Sequence, residues 1–151
     1  IWGGELEAEW MFIPRWKARV SMTGAVGDIT SREAIQTLYG ADHESAPLPG
    51  VPPFKGSASL RWTSATGNLW VEPTVRGSWR TNRLPLPTPG VPFTTEFKPE
   101  WLAGDLFAGA RFGGQRVQVG LRNFTNTAYT QALGSLPEPG ISFVGSISAD
   151  F

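Results

Sequence analysis

Few residues in this chain are suited to chemistry. Histidine occurs once, as His43 within Asp42-His43-Glu44. An imidazole between two carboxylates can contact a metal ion or a bound solute, but it is thin beside a full metal-ligand shell. The bland alternative is a solvated loop residue. Serine is plentiful, yet a hydroxyl nucleophile needs a base held beside it, and the one histidine lies in the longest apparent loop. Gly113-Gly114 lacks the strand-then-helix setting of a phosphate loop and reads as a hairpin turn. Glu72 and Arg76 are four apart, so a strand would carry them on one face, as it would Lys17 and Arg19. Arg111 and Arg122 join them as candidates on the same wall. Such a wall could contact a partner segment or a passing anion, or its charges could simply pair. No catalytic residue, cofactor site or metal site is expected, and the chain does not read as an enzyme.

Strands must position these side chains. In Glu5-Leu6-Glu7-Ala8-Glu9-Trp10-Met11-Phe12 the even positions are apolar and the odd ones mostly charged. The same period of two recurs in Trp16–Met22, in Ser57–Trp62, in Leu69–Trp79, on both sides of Gly113-Gly114, and in Ser142–Phe151. That makes about seven strands. Charged residues are 17% of the 151, below the roughly 25% usual in soluble domains, while Trp and Phe number 7 and 9. Mean hydropathy is still −0.16, as alternation of apolar and polar residues requires. No run approaches the roughly 18 apolar residues of a membrane helix. If a membrane is crossed, strands must cross it, because only a closed barrel otherwise satisfies every backbone group in lipid. Thirteen basic residues balance thirteen acidic ones, so no net field draws nucleic acid. Cysteine is absent, which excludes disulfide frameworks and thiolate metal sites. The start at Ile1, without Met or a leader, reads as a fragment or an excised mature piece.

The connections alternate in length. Short turns lie at Pro14-Arg15, Ser64–Asn68 and Gly113-Gly114, and long ones at about Gly24–Pro53, Thr81–Glu96 and Phe124–Pro139. Transmembrane barrels sort their loops this way, with short periplasmic turns and long external loops. Thr30-x-x-Glu33 has capping-box form, so a short helix ending at Gly40 is expected in the first long loop, with Ile35, Leu38 and Tyr39 as its apolar residues. Phe12, Trp16, Trp62, Trp70 and Phe112 gather near the short turns, and Trp2, Trp79, Trp101 and Phe143 near the other end. From Trp2 to Phe12 a tilted strand rises roughly 23 Å, against an apolar band roughly 25 Å tall with aromatic rims. Trp70 and Trp101 have the wrong parity for their strands, and a bulge or an inward-facing ring would account for each. The rival is a soluble β-sandwich or lipocalin-like barrel, in which Leu60, Val75, Val119 and Ile147 would pack together inside a closed core.

Several stretches resemble the C-terminal part of TonB-dependent receptors, the plugged outer-membrane transporters. Gly3-Gly4-Glu5-Leu6-Glu7 resembles their "G-x-E-L-E" strand start, and Val51-Pro52-Pro53 their "(I/V)-P-P" approach to a late strand. Asn123-Phe124-Thr125-Asn126-Thr127-Ala128-Tyr129 is similar to the family's "N-L-(T/F)-(D/N)-x-x-Y", and Pro139-Gly140-Ile141-Ser142-Phe143 to its "P-G-R-x-(F/Y)", with Ile141 where Arg is common. Gly145, Ile147, Ala149 and the terminal Phe151 resemble the β-signal read by the barrel-assembly machinery, a recognition by strand addition. Asn123, Asn126 and Tyr129 read as loop-shaping residues rather than ligands.

The resemblance implies an all-β, transmembrane antiparallel barrel of roughly 22 strands, of which residues 1–151 are the C-terminal part. The plug domain and the N-terminal strands, with the TonB box, would lie upstream. It implies TonB-dependent uptake of a siderophore-, haem- or cobalamin-like metal chelate, and His43, in the longest loop, is the candidate cargo contact. The implied partners are the lipid bilayer, lipopolysaccharide, the assembly machinery and the TonB complex, in the bacterial outer membrane. A small passive barrel of about 8 strands and a soluble ligand-binding β-domain are the alternatives.

Overall fold

The computed structural model describes residues 1–40, 43–80, 99–131 and 136–149. Seven strands form one antiparallel sheet in the spatial order β1 (Trp2–Ile13), β2 (Trp16–Val26), β5 (Lys55–Thr63), β6 (Leu69–Ser78), β7 (Trp101–Phe112), β8 (Gln115–Arg122) and β9 (Ser142–Ala149). Each pairs with its sequence neighbour, apart from the excursion between β2 and β5. Among the described residues β1 and β9 remain edges, so the sheet is an open wall rather than a closed barrel.

Register keeps the period-two pattern in phase across every strand. One apolar row runs Trp10–Ala18–Leu60, and another runs Pro73–Leu106–Leu121–Phe143. The polar face carries Glu9–Arg19–Ser59–Thr74–Asp105. The β5–β6 ladder skips Leu60 and Arg61, which lie opposite Pro73 and Glu72, where proline has no N–H to donate. The register shifts once in β1, between Met11 and Ile13, so a bulge falls at Phe12 beside the first turn. Neither Trp70 nor Trp101 sits at a bulge. Their pairs Trp70↔Gly109 and Ser78↔Trp101 are in continuous register, so both rings belong to the polar face.

The three short turns join β1–β2, β5–β6 and β7–β8 at one end of the wall. Arg15 has φ 76°, uncommon for a residue with a Cβ, directly after Pro14. In the second turn, Ser64 Oγ accepts from the Leu69 amide at 3.1 Å and Gly67 takes φ 74°. The long connections all leave from the other end. Residues 81–98, most of the second, lie outside the described residues.

The first long connection folds on itself. Two-residue strands β3 (Asp28–Ile29) and β4 (Ala46–Pro47) pair, and helix α1 (Arg32–Tyr39) packs Ile35 and Tyr39 against Ala46 and Ile29. The helix starts one residue later than the sequence suggests. Ser31, not Thr30, is the N-cap, its hydroxyl accepting from the Ala34 amide, and Glu33 stands in the first turn without closing a capping box. Gly40 ends the helix at φ 63°, as expected. Leu38 points to solvent, because a helix this short has room for only one buried stripe.

Apart from that small cluster, the buried apolar side chains among the described residues are Ala103 and Tyr129. The apolar face of the wall is open. Val75 is 45% exposed, Val119 56%, Ile147 72% and Trp10 68%. A soluble sandwich would have closed a second layer over these residues, and no such layer exists in the described structure. An apolar surface this extensive needs a cover, and hydrocarbon is the cover that a continuous belt of outward apolar side chains fits. Trp2, Trp79 and Phe143 crown it at the long-loop end, and Phe112 and Phe12 at the short-turn end.

Candidate functional site: the polar face beneath the long connections

The most constrained part of the polar face lies where β6 and β7 meet the connection between β8 and β9. Arg76 and Asp105 belong to adjacent rows on neighbouring strands. Their ion pair is bidentate, with Nε 2.7 Å from one carboxylate oxygen and Nη2 3.3 Å from the other. The remaining arm of Arg76 donates to the Tyr129 hydroxyl at 2.6 Å. Asp105, only 4% exposed, also accepts the backbone N–H of Asn123 at 2.7 Å. The Trp101 ring stacks on Tyr129, centroids 3.9 Å apart, and the guanidinium lies 5.6 and 5.5 Å from the two centroids.

Asn123 extends this network into the loop. It is 2% exposed and takes φ 52°, the left-handed conformation that Asn tolerates. Its side-chain amide donates to the carbonyls of Thr127 and Pro139, while its oxygen accepts from the Thr127 amide at 3.0 Å. Thr127 in turn donates to the Leu102 carbonyl at 2.8 Å. The β8–β9 connection is therefore bolted to the wall. Asn123 is a loop-shaping residue in the full sense, and Tyr129 is its anchor.

Glu72 and Arg76 share a face, but each pairs elsewhere. Glu72 takes Arg61 of β5, whose guanidinium also lies 4.2 Å from the Trp70 ring. Arg111 lies opposite Arg116 at the short-turn end of the same face, and Arg122 opposite Ser142. At the β1 edge, Glu9 receives Lys17 at 2.9 Å and Arg19 at 2.7 Å, all three in the open. His43 is exposed in the first connection, beside Glu44, which meets Arg32 at 3.4 Å. Asp42 lies outside the described residues. Gly145, Ile147 and Ala149 line one face of β9, and Phe151 lies outside the described residues.

Between β2, β5, β6 and the bolted loop the polar face hollows into a cavity of 270 Å³, lined by Glu5, Ser21, Lys55, Ser57, Arg76 and Gln131 among others. Ser21 and Ser57 hydrogen-bond each other at 2.8 Å across its floor. The cavity offers a polar solute cationic donors in Lys55 and Arg76 and an anionic acceptor in Glu5. Sequence reasoning missed Asp105. Its only signal was a lone acid sharing parity with Trp101, Ala103 and Phe107.

No family model matches the sequence, and no curated protein does. Solved structures do. Over 99% of its length the chain superposes on the copper transporter OprC, with a TM-score of 0.77 and 21% identity, covering 22% of that chain. It also superposes on the ferric-catecholate import receptor Fiu from E. coli K12, in its closed form, with a TM-score of 0.61, 18% identity and 99% coverage, covering 20% of that chain. The wall has the barrel fold of TonB-dependent receptors. The chain spans about a fifth of the length of either neighbour. The seven-stranded sheet of the described residues thus corresponds to part of the barrel wall in either neighbour.

Proposed function

We propose that this chain is an arc of the wall of a TonB-dependent importer in a bacterial outer membrane, and that its work is transport rather than catalysis. The observation that carries the reading is the division of one continuous sheet into an open apolar face and a charged face, with every long connection leaving from one end. The neighbours' fold supports the same reading. The cargo is a metal ion or metal chelate of the siderophore, haem or cobalamin kind. The connections carrying His43 and Tyr129 form part of the external mouth, with His43 and Glu44 as exposed cargo contacts. Upstream strands and a plug complete the receptor, the assembly machinery reads the last strand, and lipopolysaccharide surrounds the rim.

Uptake by cells that carry the complete protein tests this, with radiolabelled copper and a radiolabelled ferric catecholate as probes. Uptake of one probe should fall to background in a strain lacking TonB. Uptake of either that continues unchanged without TonB, or recovery of the protein in the soluble fraction, would overturn the proposal.

A further inference from the structure

A glycine inside a strand leaves a hole in the face it belongs to, and this wall fills most of those holes itself. On the inner strands, Phe54 covers Gly24, Phe124 covers Gly104, Trp70 covers Gly109 and Phe107 covers Gly120, each ring lying where a Cβ would stand. Gly56 is the exception. A Cβ there would meet only the Ser21 carbonyl oxygen at 3.4 Å and Met22 Cγ at 3.7 Å, so among the described residues the space above it is open. Gly56 pairs directly with Gly77 of β6, in the apolar row that runs Met22–Gly56–Gly77–Leu102. Two adjacent glycines in mid-sheet cost strand stability, and such a place commonly marks the close approach of something else.

The result is a trough in the apolar face with a volume of about 630 Å³, within the range of small-molecule sites. Met22 and Leu102 are its sides, Ala58 and Val75 continue its floor, and Trp79 stands at its upper end. It lies on β2, β5, β6 and β7, inside the two edge strands, so strands that pair with β1 or β9 leave it uncovered. Arg80 lines its mouth on the long-loop side, and Glu100 lies at the same mouth. An exposed guanidinium over an apolar slot, at the level of the aromatic rim, is complementary to a phosphate above an acyl chain. The acid beside it can share a divalent cation with the same phosphate.

We propose that this trough holds one acyl chain of lipid A, the phosphorylated glycolipid of the outer leaflet, with a lipid phosphate on Arg80. The proposal rests on the outer-membrane reading above. It makes Gly56 a specificity residue, kept small for a lipid rather than for the fold.

The test uses the complete protein, purified in detergent, and counts retained purified lipid A by native mass spectrometry. Gly56→Leu should fold, since its side chain enters open space, and should lower lipid A retention about tenfold. Arg80→Gln, which leaves the trough itself intact, should lower it several-fold. Val119→Leu, on the same apolar face but outside the trough, should change nothing. Equal retention by the wild type, the Gly56→Leu variant and the Arg80→Gln variant would overturn the assignment. So would a trough that retains phosphatidylethanolamine in preference to lipid A. Membrane fractionation keeps the two readings apart: a protein found in the outer membrane that fails the lipid test sinks only the trough, whereas one found elsewhere sinks the importer.

Discussion

Two sets of ion pairs occupy the same polar face, built from the same residue types. At the β1–β2 end, Glu9 is held by Lys17 and Arg19, with the three side chains 39–49% exposed. On β6–β7, Arg76 and Asp105 make a pair of similar length, but their side chains are only 21% and 5% exposed. Distance does not separate them. What differs is the cover. Tyr129, Trp101 and the backbone of Asn123 close over the second pair, whereas nothing described closes over the first. In water a pair at these distances nearly breaks even, because each ion gives up hydration and side-chain freedom for a screened attraction. Under cover the ions have already lost their water, so breaking the pair leaves one of them stranded.

The largest effect should therefore come from Asp105→Ala. It strands the guanidinium of Arg76, removes the acceptor of the Asn123 amide, and frees the loop at its root. Removing one partner of a buried pair typically costs 3–5 kcal/mol, and the partial exposure of Arg76 argues for the low end, about 3 kcal/mol. Urea unfolding of the complete protein in lipid measures the loss. Limited proteolysis should show new cleavage within residues 123–141. A loss below about 1 kcal/mol with an unchanged digest would mean that the cover, not the pair, holds the loop.

The contrast also marks what the sequence could convey. The face of each side chain was legible because a period of two survives any error in strand ends, and Glu72, Arg76, Arg111 and Arg122 all lie on the polar face as their parity requires. Partners were not legible. Arg76 meets Asp105 across 29 positions, and that distance is fixed by where β7 begins after a long connection. Hence Glu72 and Arg76 share a face, as their spacing requires, yet belong to two separate pairs. Trp70 and Trp101 broke the expected pattern for one reason: each is an inward ring with a guanidinium nearby, and an aromatic's taste for cations is invisible to a hydrophobicity pattern. The helix start was ambiguous because Thr30 and Ser31 are both good caps, and only the hydroxyl that reaches an amide decides.

Glu72→Gln probes the middle of the range. Glu72 is 14% exposed and its partner Arg61 41%. Arg61 keeps its place on the Trp70 ring when the carboxylate is gone, so the charge is not stranded. The expected cost is about 1 kcal/mol, read by the same unfolding experiment. Pairing this change with Trp70→Phe sharpens the point. If stacking is what limits the damage, the double variant should lose more than the sum of the single ones.

Glu9→Gln should do least, and its salt dependence completes the comparison. The substitution removes two ion pairs at once, so a tally of bridges would rank it above Asp105→Ala. Exposure reverses that order. Around Glu9 the ions keep their water, and the attraction between them is open to screening, with a Debye length of about 10 Å at 0.1 M salt and 3 Å at 1 M. Any shift of the unfolding midpoint seen for Glu9→Gln in dilute buffer should vanish in 1 M sodium chloride. The shift caused by Asp105→Ala should persist there, since salt does not reach beneath Tyr129. Were the Glu9 effect to survive high salt, the β1–β2 end would have to be covered in the complete protein, and a segment resting on Glu9 and Arg19 would be the place to look for that cover.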